Sequence, residues 1–473
     1  MTPTLPTASR LGSVVLLAIT FVPVASRFSS LLRFLRLLLA KAQPYQLFFL
    51  VRWLLICAGI GVLVGSASAF FLLSLDWVTD WREANPWVIW LLPVGGFLIG
   101  SSYHYLGQSV VKGNNLLLDE IHRPRNIIPL RMAPLVLFGT LATHLFGGSA
   151  GREGTAVQMG GTLADQLTQW LKLRPRDRKI LLIAGISAGF ASVFGTPLAG
   201  AVFGLEVFLM GTIRYEAIVP SFLAAISADL VTRAWGVGHT HYPQLEAPPI
   251  TVQGLLLTLG VGILFGLAAR SFATLTHAVA QQFKRIGYPP LRPVVGGVLV
   301  ALAVAALGTT KYIGLGIPTI VAAFQGPLPP QDFLLKLLLT ALTLGCGFKG
   351  GEVTPLFFIG AALGSALGLV LPLPVALLAG MGFVAVFAGA ANTPLACTLM
   401  GLELFGAQAG IYLGLACVVA YVFSGHTGIY TSQVIGHAKH LRFGREQGRQ
   451  LGEIPVRRHS TSGKTGPNGW GNS

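Results

Sequence analysis

The sequence predicts an all-α polytopic membrane protein built from two related halves with broken half-helices. Three observations carry that reading. The 473 residues are 53% hydrophobic and only 11% charged, with a mean hydropathy of +0.68, whereas a soluble protein is about 25% charged. Two motifs recur in the same order about 200 residues apart, which chance similarity of apolar sequence would rarely produce. Several apolar runs fall short of the roughly 20 residues that cross a bilayer. They end at Gly, Pro or a charge, as half-helices packed inside protein do.

In chain order, residues 1–43 form an amphipathic and basic head. Its apolar run at 11–25 has signal-peptide length but only Arg10 as a basic flank, so an uncleaved segment on the cytoplasmic side is expected. Residues 28–41 place Arg33, Arg36 and Lys41 among leucines and read as an interfacial helix. The first membrane repeat covers 44–235, with spans at about 47–75, 87–106, 130–147, 155–171, 179–194, 197–211 and 217–235. A linker follows at 236–252. The second repeat, 253–441, has spans at about 253–283, 291–308, 333–347, 355–371, 374–390, 394–405 and 409–424. Short pieces lie at 114–121, 314–323 and 430–441. The acidic, Trp-bearing stretch 76–83 reads as an outward loop, and the basic stretch 172–179 as a cytoplasmic one. The polar, basic tail 442–473 is expected to be disordered in the cytoplasm.

The formal net charge of +16 fits basic loops retained on the inner face of a membrane, so a nucleic-acid partner is not expected. Cys57, Cys346, Cys397 and Cys417 lie in apolar segments without metal-ligand spacing. No metal or cofactor is expected, and the chain's surroundings are the lipid bilayer.

The central motif is G-G-S-A-G-R-E-G-T-A-V-Q-M-G-G at 147–161. It sets Arg152 and Glu153 in a glycine-rich turn at the head of a predicted membrane helix. An acidic residue at membrane depth is costly and marks a functional site by default. The first-turn N–H groups of a helix have no intrahelical partner and bind anions. A carboxylate that fills such a site when charged and leaves it when protonated would exchange anions against protons. The arrangement recurs at 350–355, G-G-E-V-T-P, where Gly350, Glu352 and Thr354 match Gly151, Glu153 and Thr155 at an offset of 199. Residues 196–208 lie over 393–405 at an offset of 197. Duplicated halves with interrupted helices place a transport site near the midplane between them.

These residues resemble the CLC chloride channels and anion/proton antiporters over roughly 45–440. G-R-E-G-T at 151–155 is similar to the family's G-R-E-G-P, and F-G-T-P-L-A-G-A-V-F-G-L-E at 194–206 to its F-x-x-P-L-A-G-x-x-F-x-x-E. Residues 350–355 resemble its G-x-F-x-P, and G-I-Y at 428–430 supplies its anion-site tyrosine. The resemblance implies a CLC-type fold with two inverted-topology repeats, a homodimer, and a place in a cell membrane, the bacterial inner membrane. It implies gating and proton transfer by Glu153. It implies anion contact by Gly113, Asn114, Asn115, Gly151, Arg152, Gly154, Thr155, Val353, Thr354 and Tyr430.

The departures from the chloride pattern narrow the expectation. Where chloride members carry G-S-G-I-P, this chain has Gly113-Asn114-Asn115-Leu116-Leu117, so Asn114 replaces the serine. Thr155 replaces the proline after the gating glutamate, and Glu352, Val353 and Thr354 rewrite the second-half loop. The combination resembles the fluoride-exporting subgroup. Fluoride is small and tightly hydrated, so a dry site must return strong hydrogen bonds, and an Asn amide brings two N–H donors. Val207 stands where proton-coupled members carry an inner glutamate, so a proton needs another station, Glu352 or Glu120. Glu352 is taken as the second gating and proton-transfer carboxylate, with capping of its helix or pairing with Lys349 as the structural alternative. Glu120 and Glu206 are accessory acids, with capping or pairing as their structural alternative. The expected function is fluoride/proton antiport, with chloride/proton antiport or a chloride channel as the alternative, and no enzymatic activity. A remote alternative is an intramembrane serine hydrolase, since residues 185–189 fit G-x-S-x-G around Ser187; that motif requires a strand-to-helix elbow.

Overall fold

The computed structural model describes residues 44–454. The interfacial helix expected at 28–41, the apolar run at 11–25 and the chain beyond 454 lie outside the described residues. Helix α1 (Pro44–Ala84) opens the described chain; up to Leu55 it carries exposed apolar side chains such as Phe48 and Leu55. A 3-10 turn at Pro86–Leu91 leads into α2 (Leu92–Tyr105), followed by α3 (Asn114–His122), α4 (Met132–Leu145), α5 (Glu153–Trp170), α6 (Pro175–Phe194), α7 (Pro197–Glu206) and α8 (Ile218–Ala234). Residues 237–251, read as most of the linker, have no regular structure. Then come α9 (Val252–Phe283), α10 (Leu291–Leu307), α11 (Ile317–Ala323), α12 (Gln331–Gly345), α13 (Val353–Leu367), α14 (Val375–Ala391), α15 (Pro394–Phe405) and α16 (Gly410–Phe423).

Among the described residues four stretches, Gln46–Ala84, Pro86–Tyr105, Tyr215–Ala234 and Val252–Phe283, are long and apolar enough to cross a membrane. The other helices are shorter, apart from α5 (18 residues) and α6 (20 residues), which carry more polar or charged residues. Ten residues of α7 rise only about 15 Å, half of a hydrocarbon core about 30 Å thick. Such pieces are tolerated because protein, not lipid, surrounds them. Helices α6 and α14 show this at the extreme, with every residue from Ile180 to Phe194 and from Leu377 to Ala391 buried. A helix apolar all round belongs in a core. Each crosses its partner where glycines leave no room for a side chain. A methyl on Gly160 would fall on the Gly185 carbonyl, and one on Gly360 on the Gly382 carbonyl. The two halves therefore repeat the same close crossing, α5 on α6 and α13 on α14.

The halves also fasten to one another in opposite senses. Glu206 at the end of α7 accepts from Leu395 N (3.1 Å) and Ala396 N (2.9 Å) at the start of α15. Glu403 near the end of α15 accepts from Leu198 N (2.9 Å) and Ala199 N (2.8 Å) at the start of α7. Two antiparallel helices thus cap each other, each glutamate supplying the acceptor that the partner's orphan first-turn N–H groups lack.

Three expectations need correction. Residues 76–83 are not a loop: they contain no Gly or Pro, and α1 runs through them to stop at Asn85-Pro86. Residues 430–441 are not a short helix. Val434–Ile435 form strand β2, paired in parallel with β1 (Leu209–Met210), a two-residue exception to the all-helical fold. The tail does not become disordered at 442, because the chain folds back as far as 454. Leu451 packs with Met210 and Ile435, and its N–H donates to Gln433 O at 2.9 Å. Lys439 donates to Tyr421 O (2.7 Å), Gly425 O (2.7 Å), Ser424 Oγ (2.9 Å) and Asn392 Oδ1 (2.5 Å). A polar segment is ordered here because its few apolar residues find a core and its lysine finds acceptors.

Candidate anion and proton site

The glycine-rich loops of the two halves meet. Gly151 N donates to Gly351 O at 2.6 Å and Gly351 N to Gly151 O at 2.7 Å, a reciprocal pair. A methyl on Gly351 would sit 2.8 Å from Gly154 N and 3.1 Å from Glu153 N, so only glycine permits the approach. The contact brings the starts of α5 and α13 together, and Glu153 reaches across it. Thr354 donates its N–H to Glu153 Oε2 (3.0 Å) and its hydroxyl to Oε1 (2.6 Å). Arg152 N donates to Oε2 at 3.2 Å, and Arg152 Nε lies 3.6 Å from Oε1. Glu153 is 1% exposed. Its carboxylate takes up helix-start donors of α13, groups of the kind that bind anions when no side chain claims them.

A second group surrounds a cavity of about 140 Å³ walled by Gly113, Asn114, Asn115, Glu352 and Tyr430, with Tyr103, Gln158 and Lys349 among its other walls. Gly113 takes φ 58° to launch α3, which presents Asn114 to the cavity. The Asn114 Nδ2 atom lies 3.1 Å from where a Gly154 side chain would begin, linking the cavity to the Glu153 turn. Asn114 Oδ1 is buried without a hydrogen-bond partner among the described residues. Asn115 does different work: its Oδ1 accepts from Ser432 N at 2.9 Å and so holds the segment bearing Tyr430 against the start of α3. Glu352 is the N-cap residue of α13, yet its side chain makes no capping bond, and no ion pair joins it to Lys349 among the described residues. Its carboxylate is left facing the cavity.

The sequence-predicted residues therefore fall into two adjoining groups. Glu153, Arg152, Gly151, Gly154, Val353 and Thr354 form the junction of the halves; Gly113, Asn114, Asn115, Glu352 and Tyr430 form the cavity. Thr155 joins neither as a donor, since its hydroxyl pairs with that of Thr140 at 2.6 Å. Glu206 is a helix cap as described. Glu120 accepts from Arg178 (2.9 Å) and Arg125 N (2.8 Å), and Arg178 also binds Asp165 at 2.7 Å, a buried network that ties α3 to α5 and α6. Ser187 sits in mid-helix α6 and donates to Ala201 O at 3.3 Å, so the elbow a hydrolase needs is not there. Val207 lies beside a smaller void walled by Asn114 and Tyr430, and its carbonyl accepts from Gln433 Nε2 at 2.8 Å. Sequence reasoning missed Gln158 and Tyr103 as cavity walls. Nothing in their spacing distinguishes them from packing residues.

The chain matches the family described as "Voltage gated chloride channel" over residues 95–425. It is 58% identical over 401 residues to a "Chloride/fluoride channel protein" of Pseudomonas syringae pv. tomato, covering 83% of this chain and 89% of that protein. Among solved structures it superposes on a CLC-type fluoride/proton antiporter with a TM-score of 0.79 at 37% identity, covering 82% of this chain and 98% of the other. A slow cyanobacterial chloride/proton antiporter shares the fold, with a TM-score of 0.68 at 21% identity over 79% of this chain and 94% of that one.

Proposed function

The chain belongs to the voltage gated chloride channel family, the CLC proteins, and we propose that within it this protein exports fluoride across a cell membrane in exchange for protons. The carrying observation is the Glu153 carboxylate seated on the Thr354 N–H and hydroxyl. Those donors serve either the carboxylate or an anion. When Glu153 is charged, it holds them and closes the junction between the halves. When it takes a proton, its claim on charge-assisted donors falls, and fluoride can replace it. Anion entry and proton release are then opposite faces of one competition.

The proton needs a second station, because Val207 cannot carry one. Glu352 faces the cavity without a hydrogen-bond or ion-pair partner among the described residues, and two carboxylates and an anion in one confined space repel, so that at least one acid is protonated during the cycle. Asn114 and Tyr430 would hold fluoride on the cavity side and Thr354 at the junction. The reading includes two repeats at about 44–235 and 253–441, a homodimer, and the bacterial inner membrane as location. Chloride/proton antiport is the second reading, favoured by the fold shared with a chloride/proton antiporter.

Proteoliposomes loaded with fluoride or chloride, followed with ion-selective and pH electrodes, test the assignment. Fluoride efflux coupled to proton uptake is expected, with chloride moving far more slowly. In Glu153→Gln proton uptake should cease, because a neutral amide cannot bind and release a proton. Coupled uptake at the normal rate in that variant would end the assignment.

A further inference from the structure

We infer that Lys349 is the resident cation of the anion path, drawing the transported anion into the cavity and offsetting the charge of Glu352. This rests on the transport reading of the same site and adds a residue to it. Lys349 lies in the loop between α12 and α13, three residues before Glu352, and walls the same cavity as Asn114, Gln158 and Tyr430. Its ammonium has no hydrogen bond or ion pair among the described residues. Other lysines and arginines near the site are spoken for: Arg152 by Glu153, Lys336 by the carbonyls of Tyr312 and Gly314, Arg178 by Asp165 and Glu120, Lys439 by four oxygens.

The pose of Lys349 is built by its neighbours. Its stem runs over Gly139 of α4, where a methyl would stand 2.9 Å from Lys349 Cβ. Its ammonium lies 4.2 Å from the centroid of the Tyr103 ring, a cation–π contact that steadies a charge without neutralising it. Tyr103 is itself 7% exposed and fixed. A lysine anchored by a carboxylate would be electrically silent to an anion; one anchored by a ring keeps its full field. Arg152 is ion-paired with Glu153, so on the cavity wall Lys349 is the cation placed to offset Glu352 for an entering anion. Lys112, also on the cavity wall, cannot fill the role, because it is paired with Asp119 at 2.9 Å and its side chain is 67% exposed, where solvent screens it.

The test is the anion dependence of initial transport rates in proteoliposomes for Lys349→Met and Lys349→Arg, each first checked for assembly by size exclusion. Lys349→Met should raise KM for the transported anion by about tenfold or more, as removal of an unscreened charge at close range requires, and Lys349→Arg should restore it to within about threefold. An unchanged KM in Lys349→Met, or an equal loss in a well-folded Lys349→Arg, overturns the inference in favour of a packing role. If Lys349→Met fails to fold, Tyr103→Leu keeps the charge but removes its ring; a smaller rise in KM is expected, and no rise overturns the inference. Running both anions separates the two questions. A wild type that moves chloride and not fluoride defeats the fluoride reading while leaving the effect of Lys349 measurable on chloride. Wild-type fluoride exchange with unaltered variants defeats only the inference.

Discussion

Glu153, Asn114 and Glu352 each have one polar function exposed to a different part of the site, and their variants should fail differently. Asn114 stands where the chloride-type turn carries serine, and its Nδ2 lies beside the Gly154 backbone. Asn114→Ser withdraws a donor of longer reach, and the fluoride-to-chloride rate ratio should fall. One hydrogen bond to a charged group is worth roughly 1.5–3 kcal/mol, or about one to two decades in binding. An unchanged ratio in both Asn114→Ser and Thr354→Ala would assign the preference to backbone geometry. Glu352 offers a different contrast. Because it neither caps α13 nor pairs with Lys349, Glu352→Gln removes no structural bond seen here. The variant should remain a folded assembly yet lose coupled fluoride export, read as fluoride efflux and proton influx on one preparation. Near-normal exchange would leave Glu352 without a proton role.

At the scale of helices, the reciprocal caps between α7 and α15 distinguish support from chemistry. Glu206 and Glu403 each take two first-turn N–H groups of the other helix. Losing a cap of this kind typically costs about 1 kcal/mol. Glu206→Ala and Glu403→Ala should each lower the thermal midpoint in detergent, with similar penalties because the two sites are equivalent by the repeat. Glu206→Gln keeps an acceptor oxygen and should leave proton-coupled exchange intact. Lost coupling in a Glu206→Gln protein of normal stability would instead make Glu206 an accessory proton carrier.

The whole molecule depends on how closely its halves approach, and that distance is set at Gly151 and Gly351. The space a Gly351 methyl needs is already taken by the backbone nitrogens of Arg152, Glu153 and Gly154. Gly351→Ala should therefore move the start of α13 away from α5, pull Thr354 off the Glu153 carboxylate and reduce exchange by at least about tenfold. The helices of each half, packed through Gly160, Gly185, Gly360 and Gly382, do not depend on that contact. The variant is expected to keep its helical content by circular dichroism while losing transport; full transport would show that the junction tolerates separation.

Much of this was legible in the chain alone. Apolar composition demanded a membrane fold, the repeated glutamate-bearing turns pointed to two related halves and to Glu153 and Thr354, and the resemblance to the CLC family pointed to the Asn114 turn. Local sequence carries such information because a helix start needs a glycine turn, a cap and a polar residue at stated spacings. What only the tertiary structure decided is which polar groups meet. Asn114 and Asn115 are adjacent, chemically identical and both on the cavity wall, yet Asn115 Oδ1 holds Ser432, 317 positions away, while Asn114 Oδ1 has no hydrogen-bond partner among the described residues. Glu206 and Glu352 both read as buried acids near helix ends. Glu206 is consumed by the α15 N–H groups, and Glu352 walls the cavity without a partner among the described residues. The folded strap from 430 to 454 escaped notice for the same reason: its order comes from Met210, Asn392 and Tyr421, which are distant in sequence. Burial and pairing are properties of two surfaces at once, and a sequence presents only one of them at a time.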